Sequence, residues 1–272
     1  MRTLDDATRL AYLKEMGITL WYQRGVPADD AVPEALPPAE SLSQAISPDT
    51  SPSETVSPVS FVQADKTPSA DVPDTAAWDQ LLDEINHCQN CHLCQTRNRI
   101  VPGVGDRNAD WLFVGEGPGY FEDQQGEPFV GRSGKLLDNM LAGMLLKRGS
   151  NVYIANIVKC RASEAGKDRQ PTEEESAICM PFLERQIALI KPKIIVALGK
   201  TAATALLNTS RENSLSSMRR KIHYYQSGDR QIPLVITYHP SYLLRTPQGK
   251  QQAWEDLCMA METLENSGTR EQ

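Results

Sequence analysis

Four short apolar runs, separated by helical stretches, constrain the fold of this chain more than any other feature of its sequence. The runs are Trp111–Val114, Val152–Ile154, Ile194–Leu198 and Leu234–Thr237. The helical stretches are Trp78–Asn86, Gly134–Lys147, Thr172–Ile190, Thr201–Leu207 and Gln248–Leu264. Runs that are apolar throughout, rather than at alternate positions, are typical of strands buried on both faces of a parallel sheet. The pattern therefore predicts an α/β fold with helices on both faces, and any ligand should bind outside the carboxyl ends of the strands.

The chain divides by composition into four parts. Residues 1–25 carry apolar side chains at helical spacing and predict one short helix. Residues 26–76 hold half of the 18 prolines and predict a disordered linker, because such a segment buries too little apolar surface to offset its ordering entropy. Residues 77–265 are predicted to form the globular domain, and residues 266–272 a tail.

Hydropathy and charge narrow the function classes. No run approaches the ~20 apolar residues that span a bilayer, and the N-terminus lacks the apolar core of a secretory signal. We therefore expect a cytoplasmic protein that does not contact membranes. The whole net charge of −7 lies within residues 1–77. The rest of the chain is balanced, so it can carry a local basic face for nucleic acid.

The six cysteines are Cys88, Cys91, Cys94, Cys160, Cys179 and Cys258. The first three form the pattern CxxCxxC, the next two follow at a distance, and the last is predicted to be a core thiol. A CxxC pair and two distant thiolates can close around zinc or an iron–sulfur cluster, and buried free thiols are the alternative. Because none of the cysteines follows a predicted strand directly, we expect any such site to be structural.

Four side chains in the loops after the predicted strands could carry chemistry. Glu116, in a Gly-rich turn, could activate a water, or it is a solvated loop residue. Phe129, between glycines, could stack on a planar ligand, or it packs as a lid. Asn156 can face a base edge with one donor and one acceptor, or it caps a turn. His239, before a proline, could donate to a developing oxyanion, or it is structural.

The segment Ser241–Arg245 follows the last predicted strand and is predicted to be a loop. Its Leu243 and Leu244 would be unusual in an exposed loop unless they act as a wedge, for example between stacked bases. The alternative is that this segment begins the C-terminal helix and that both leucines lie in the core.

Several motifs occur together in a fixed order: CxxC with RxRIVPGVG, GEGPGxxED, GxPFVGRSGKLLD, VYIANIVKCR, PTEEExAxC, IIVALG and HPSYLLR. They resemble those of the family 4 uracil-DNA glycosylases, the iron–sulfur branch of the uracil-DNA glycosylase superfamily, over roughly residues 85–260. The resemblance implies a three-layer α/β/α fold with a central four-stranded parallel sheet. It also implies a monofunctional enzyme that flips uracil out of single- or double-stranded DNA and hydrolyses its glycosidic bond, which initiates base excision repair. The alternative is a non-catalytic replication adaptor that keeps this fold for DNA binding.

By this resemblance, the cluster ligands are Cys88, Cys91, Cys160 and Cys179. They would hold a [4Fe–4S] cluster, with zinc as the alternative. Glu116 would stabilise the sugar cation or activate water, and His239 would face the carbonyl oxygen that gains charge. Leu243, Leu244 and Arg245 would form the DNA intercalation loop.

The same resemblance implies a uracil pocket lined by Gly117, Glu122, Phe129 and Asn156. Phe129 would stack on the flipped base, Asn156 would read its edge, and Glu122 would shape the pocket against the methyl group of thymine. Tyr120 and Phe121 depart from the family pattern, in which acidic residues often follow GEGPG.

The segment Leu13–Trp21 resembles the opening of the psi subunit of the bacterial DNA polymerase III clamp loader. By this resemblance it would bind the chi subunit, and through it single-stranded DNA-binding protein, so that the chain is recruited to replication forks. A long linker suits that role because it raises local concentration without fixing orientation. The alternative is a helix that packs on its own domain. We expect a monomer in the bacterial cytoplasm, associated with the nucleoid.

Overall fold

The computed structural model describes residues 75–268, and a six-stranded mixed sheet forms the centre of this region. The predicted helix within residues 1–25, the predicted linker 26–76 and residues 269–272 lie outside the described residues, so those domain boundaries stay predictions. No helix within residues 75–268 is long and apolar enough to cross a membrane.

The strands are β1 (Val104–Gly105), β2 (Trp111–Gly115), β3 (Val152–Asn156), β4 (Ser163–Glu164), β5 (Lys167–Asp168), β6 (Ile194–Leu198), β7 (Ile222–Ser227) and β8 (Arg230–Thr237). The main sheet has the order β1-β3-β2-β6-β8-β7, and its four central strands are parallel. Each predicted apolar run lies within one of these four strands, and β2, β3 and β6 are buried along their whole length. The predicted four-stranded parallel core is confirmed.

Antiparallel strands at both edges of the sheet were not predicted. The two-residue β1 pairs with β3, and β7 forms a hairpin with β8 that extends the last predicted strand back to Arg230. Strand β7 is a poor apolar run because it lies at the sheet edge, where Ile222 and Tyr224 are exposed. The pattern of apolar residues identifies strands that are buried on both faces more easily than it identifies edge strands, which are partly exposed.

The helices are α1 (Thr75–Asn86), α2 (Tyr120–Gln125), α3 (Arg132–Gly143), α4 (Glu173–Ile190), α5 (Lys200–Leu206), α6 (Leu215–Met218), α7 (Pro240–Arg245) and α8 (Gly249–Gly268), and a 3₁₀ turn covers His92–Gln95. On one face of the sheet, α1, α4 and α5 pack against alternate strand residues such as Leu112 and Ile195. On the other face, α3, α7 and α8 pack against Phe113 and Val196. These helices complete the predicted three-layer α/β/α fold.

The segment after the last strand is the short helix α7 rather than the predicted loop. Its first residue is Pro240, which suits a helix start because its missing N–H would have no intrahelical partner there. The side chain of His239 accepts a hydrogen bond from the backbone N–H of Ser241 and so caps this helix.

Candidate active site

The carboxyl ends of three parallel strands open into one cleft of about 340 Å³. Glu116 follows β2, Asn156 ends β3 and His239 follows β8. These three residues line the cleft together with Phe129. Residues far apart in the sequence meet here because parallel strands end at the same edge of a sheet, as the strand-end rule predicts.

Asn156 presents an unpaired acceptor to the cleft. Its side chain is only 2% exposed, and its Oδ1 atom has no hydrogen-bond partner. Leaving such an acceptor buried and unpaired costs about 1–3 kcal/mol. A ligand N–H that reached Oδ1 would recover this cost, so the amide is built to hold a ligand that carries a donor.

The ring of Phe129 lies beside the Asn156 amide, and Gly115 makes this approach possible. A Cβ atom at Gly115 would lie 2.5 Å from Asn156 Oδ1 and 2.6 Å from Phe129 Cζ. Any side chain at this position would therefore push the amide and the ring apart. Together the three residues form a narrow slot that suits a planar ring with hydrogen-bonding edges.

The backbone of Phe129 is held in a left-handed conformation, with a φ of 55°. Arg148 donates hydrogen bonds of 2.8 Å to the carbonyl oxygens of both Pro128 and Phe129. Gly134 lets the loop pass close to α3, since a Cβ atom there would lie 1.7 Å from the Phe129 carbonyl oxygen. The strained conformation persists because these neighbours hold it, and it fixes the ring against the slot.

Glu122 lines the cleft, but both oxygens of its carboxylate accept hydrogen bonds from backbone N–H groups. Oε1 accepts hydrogen bonds from the N–H groups of Val130 (3.0 Å) and Gly131 (3.1 Å), and Oε2 accepts one from Gly119 (3.2 Å). The side chain therefore ties the loop after Phe129 to the start of α2. Gly117, beside Glu116, also lines the cleft.

His239 is a neutral imidazole, and its ring N–H lies on the side opposite the nitrogen that caps helix α7. Nδ1 accepts the Ser241 N–H at 3.1 Å and lies 2.8 Å from Ser241 Oγ, whose hydroxyl can also donate to it, so we assign the ring proton to Nε2. Burial, and secondarily the charge of Arg245, lowers the pKa of His239 to about 4. Gly199 has a φ of 93°, and a Cβ atom there would lie 2.9 Å from the Cβ of His239. The close approach to Gly199 sets the position of a donor that stays neutral at physiological pH.

Glu116 is a half-buried carboxyl held by one hydrogen bond. The hydroxyl of Thr201, in the first turn of α5, donates to Glu116 Oε2 at 2.5 Å. Burial raises the pKa of Glu116, and the Thr201 hydrogen bond and the charge of Arg211 partly oppose that shift. The carboxyl can therefore hold a water or face a developing cation, in a site where its charge is weakly screened.

The predicted intercalation residues take two different positions on α7. Leu243 is 1% exposed and packs in the core between the sheet, α3 and α8. Leu244 and Arg245 are exposed. A wedge from this segment could use Leu244 but not Leu243 unless the helix rearranges.

Five cysteines line a second cavity, between α1, the 3₁₀ turn and α4. They are Cys88, Cys91, Cys94, Cys160 and Cys179. Cys94, which the resemblance leaves outside the ligand set, thus lies at the same cavity as the four predicted ligands. Within residues 75–268, no three His, Cys, Asp or Glu side chains are arranged to hold a single metal ion.

Hydrogen bonds and burial act in opposite directions on the pKa of these thiols, and burial is the larger effect. Arg97 Nη1 donates to the Sγ of Cys160 and the backbone N–H of Lys159 to that of Cys179, both at 3.3 Å. Burial raises the pKa of the Cys160 thiol to about 11 and raises that of Cys179 as well. Buried thiols of this kind stay protonated at neutral pH unless a metal centre takes the place of the protons.

Lys159 connects the cysteine cavity to the cleft. Its buried ammonium donates to the backbone carbonyl oxygen of Asn156 (2.8 Å) and to Gln186 Oε1 (2.7 Å). Burial lowers the pKa of Lys159 to about 8. The end of β3, which carries the slot amide, is therefore held by a residue that adjoins two predicted ligands.

A second connection runs through the side chains of Arg169, Glu175 and His92. The Glu175 carboxylate lies 2.6 Å from Arg169 Nη2 and 2.9 Å from His92 Nε2. His92 lies in the cysteine-bearing turn, and Arg169 lines the cleft. The hydrogen bond from Arg169 lowers the pKa of Glu175, so this group stays ionised. The wall of the cleft is thus tied to the cysteine loop.

The part of the chain that carries this cleft matches a known family. Residues 102–258, more than half of the chain, match the family model described as the uracil DNA glycosylase superfamily. The chain belongs to the uracil-DNA glycosylase superfamily.

Within this superfamily, the chain is similar to enzymes named type-4 uracil-DNA glycosylase. It is 39% identical to the one from Archaeoglobus fulgidus over 180 residues, which are 65% of this chain and 88% of the relative. It is 38% identical to the one from Thermotoga maritima over 188 residues, 68% of this chain and 94% of the relative. A type-5 uracil-DNA glycosylase from Pyrobaculum aerophilum is 30% identical over 161 residues, 53% of this chain and 67% of the relative.

Sequence reasoning missed the residues that position the superfamily site rather than line it. Gly115, Arg148, Lys159 and Thr201 hold the amide, the ring or the carboxyl in place, and none was singled out. Gly115 could have been found, because it directly follows the predicted strand Trp111–Val114 and precedes Glu116. The other three lack a local signal, since Arg148 and Thr201 bond to residues distant in the sequence and Lys159 bonds to Gln186 as well as to the nearby Asn156.

Proposed function

We propose that this chain is a monofunctional DNA glycosylase that excises uracil from single- or double-stranded DNA. The observation that carries the proposal is the unpaired Oδ1 of Asn156, buried beside the Phe129 ring. Uracil offers what this slot lacks, because its N3–H can donate to Oδ1 while its O4 accepts from the amide nitrogen. Base flipping, which costs a few kcal/mol, is needed to bring the uracil into the slot.

The reaction breaks the bond between C1′ and N1. The electron pair of that bond moves into the uracil ring, where His239 Nε2–H stabilises the charge growing on O2. Glu116 faces the cation that develops on the sugar and takes a proton from the water that adds to C1′. The uracil anion leaves and gains a proton from solvent, while Glu116 releases its proton to solvent, so the products are free uracil and an abasic site. The chain forms no covalent bond to DNA.

A uracil-containing oligonucleotide, treated with alkali after incubation, tests the proposal. The wild-type protein should give strand breaks at uracil, and Asn156→Ala should not. A wild-type protein that binds the oligonucleotide but leaves it intact would instead favour the non-catalytic replication adaptor. Oligonucleotides that carry hypoxanthine, xanthine or ethenocytosine in place of uracil would measure the substrate range.

Thr201→Val should move the acid limb of the pH–rate profile to higher pH. The raised pKa of Glu116 already places this limb above the ordinary range of a glutamate, and removing the opposing Thr201 hydrogen bond raises that pKa further. A hydrogen bond to a charged group is worth about 1.5 kcal/mol, which is about one pKa unit. At pH values below the pKa of Glu116, the rate of Thr201→Val should therefore be about tenfold lower than that of wild type.

Rates on the alkaline side of the limb test whether this substitution acts through Glu116. They should be unchanged within about twofold, because Glu116 is then ionised in both proteins. Thr209→Val is the matched control, because Thr209 is half-buried and its hydroxyl accepts a hydrogen bond from Asn213 away from the cleft. A uniform loss of rate at every pH would mean that Thr201 only supports packing.

We also propose that the cysteine cavity holds a [4Fe–4S] cluster with Cys88, Cys91, Cys160 and Cys179 as ligands. The cavity fits such a group, since several sulfur atoms face it and Arg97 and Lys159 supply donors and positive charge. When bound, the cluster would supply a rigid, negatively charged cross-link between distant parts of the chain. It would act on the cleft only through its structural links at Lys159 and His92.

Substituting each cysteine with serine should separate ligands from neighbours. Cys88→Ser, Cys91→Ser, Cys160→Ser and Cys179→Ser should each lose iron, labile sulfide and the visible absorbance, because a cluster needs four thiolates. Cys94→Ser and the core control Cys258→Ser should keep all three. Iron loss in Cys94→Ser would place Cys94 in the ligand set, and zinc in the purified wild-type protein would reject the cluster.

For the residues outside the described region, the proposal rests on sequence alone. Residues 1–25 would bind the chi subunit of the clamp loader and, through it, single-stranded DNA-binding protein, in the cytoplasm at the nucleoid. A pull-down of chi by the full chain, compared with a chain lacking residues 1–25, tests this role. Equal capture by both chains would reject it.

A further inference from the structure

Two exposed aromatic side chains lie at the cleft and have no place in the reaction described above. Tyr120 and Phe121 begin α2, and both line the cleft that holds Glu116 and Asn156. Tyr120 is 52% exposed and Phe121 is 56% exposed. Two adjacent rings this exposed form an apolar patch, and a ligand that covered the patch would recover the cost of its exposure to water.

Tyr120 is held in place by a buried arginine. The Arg161 guanidinium carbon lies 5.2 Å from the centre of the Tyr120 ring. Arg161 is only 8% exposed, and it is fixed by hydrogen bonds to Asp168 Oδ1 (2.6 Å) and to the carbonyl oxygen of Gly166 (3.0 Å). An aromatic ring with a cation fixed against it is oriented in advance, so it would lose little entropy on stacking.

Phe121 continues this surface toward the base slot. Its ring meets that of Tyr120 edge to face, with centres 5.5 Å apart. A Cβ atom at Gly131 would lie 3.3 Å from Phe121 Cδ2, so the ring rests on the loop that carries Phe129. The two exposed rings therefore adjoin the slot in which the flipped base would lie.

Among the charged side chains that line this cleft, the exposed Arg132 can reach a DNA strand. Arg132 can contact a phosphate beside a flipped nucleotide. Arg169 is held by the Glu175 carboxylate, and the carboxylates of Glu116, Glu122 and Asp168 also line the cleft. Successive aromatic rings beside positive charge are the usual platform for bases of single-stranded DNA. A protein partner that bound these two rings would have to compete with the DNA strand for the opening of the cleft.

We propose that Tyr120 and Phe121 form a stacking platform for the base that directly neighbours the flipped uracil. The proposal rests on the proposed function and adds a subsite to it. Stacking of one base on an aromatic platform should strengthen DNA binding about tenfold. Because every base has a π-face, the platform would accept any of the four neighbours, and it would favour strands whose neighbouring base is unpaired.

Binding of single-stranded oligonucleotides tests the platform. Each carries 2′-fluoro-2′-deoxyuridine at the target, since the fluorine destabilises the sugar cation and prevents cleavage. In two further oligonucleotides, the base on the 5′ or on the 3′ side is replaced by a tetrahydrofuran abasic analogue. For wild type, fluorescence anisotropy should show that the Kd rises about tenfold when one of the two neighbours is removed.

Variants assign this effect to the two rings. The double variant Tyr120→Ala, Phe121→Ala should bind the complete oligonucleotide about tenfold more weakly and should lose the dependence on the neighbouring base. Tyr120→Phe should retain that dependence. Tyr224→Ala is the matched control, because Tyr224 is 59% exposed on β7 and does not line the cleft.

The outcomes separate this proposal from the proposed function. A wild-type Kd that is the same with and without either neighbour overturns the platform, even if uracil is excised. A neighbour effect that persists in the double variant also overturns it. Excision is measured in parallel on ordinary uracil oligonucleotides, so a failure of the glycosylase activity is recognised separately from a failure of the platform.

Discussion

Asn156→Ala is expected to lower the single-turnover rate of uracil excision by about 10³-fold. A site that recognises its substrate by pairing with a polar edge loses most of its substrate discrimination when the pairing group is removed. Removing one hydrogen-bond donor to a charged intermediate by itself lowers the rate about 10²- to 10³-fold. The loss should be larger than for other polar substitutions in the cleft, because in the proposed complex Asn156 would hold the base through both of its edge contacts. Quenched-flow or manual sampling of a labelled uracil oligonucleotide measures it.

Two further variants show that this loss comes from the amide and not from packing. Asn156→Asp keeps the shape of the side chain but replaces the amide donor with a second acceptor, so it should be nearly as slow as Asn156→Ala. Asn108→Ala, at an exposed turn, should excise uracil at the wild-type rate. If Asn156→Ala remains within tenfold of wild type, the slot does not read the base.

His239→Ala is expected to lower the rate by about 10²- to 10³-fold, since it removes a donor aimed at the developing negative charge. The pKa of His239 near 4 means that the imidazole is neutral throughout the working range. The wild-type rate should therefore not rise as the pH falls through the ordinary histidine range. A rise there would mean that the imidazolium is the active donor.

His239 also caps α7, so its structural role needs its own variant. His239→Asn keeps a side-chain acceptor for the Ser241 N–H but lacks the Nε2 proton. It should be about as slow as His239→Ala while its melting temperature stays closer to that of wild type. His87→Ala, at an exposed histidine, is the control. Near-wild-type excision by His239→Asn would reduce His239 to a capping residue.

The central sheet could be predicted because its signal is local. Each of the four parallel strands is a short run of apolar residues, and burial on both faces makes every position apolar. The same rule that orders these strands also located Glu116, Asn156 and His239, because a strand end is defined by the run that precedes it. Strand β7 carries no such signal, since its outer residues face solvent at the sheet edge.

The segment 240–245 shows where local reading fails. Two leucines after a proline are compatible with a loop and with a short helix, because six residues are too few to reveal a helical period. The core between α3 and α8 decides between them by accepting Leu243. The wedge role of this segment remains a prediction, now with Leu244 and Arg245 as its accessible residues.

By itself, the sequence determined the class of fold, the four parallel strands and the strand ends where polar side chains would gather. Those features depend on the order of neighbouring residues, which can be read directly from the sequence. Only the tertiary structure decided that Asn156 has an unpaired acceptor, that Arg148 and Glu122 hold the Phe129 loop and that Lys159 links the slot to the cysteine cavity. Such contacts join residues distant in the chain, and their geometry exists only once the layers have packed.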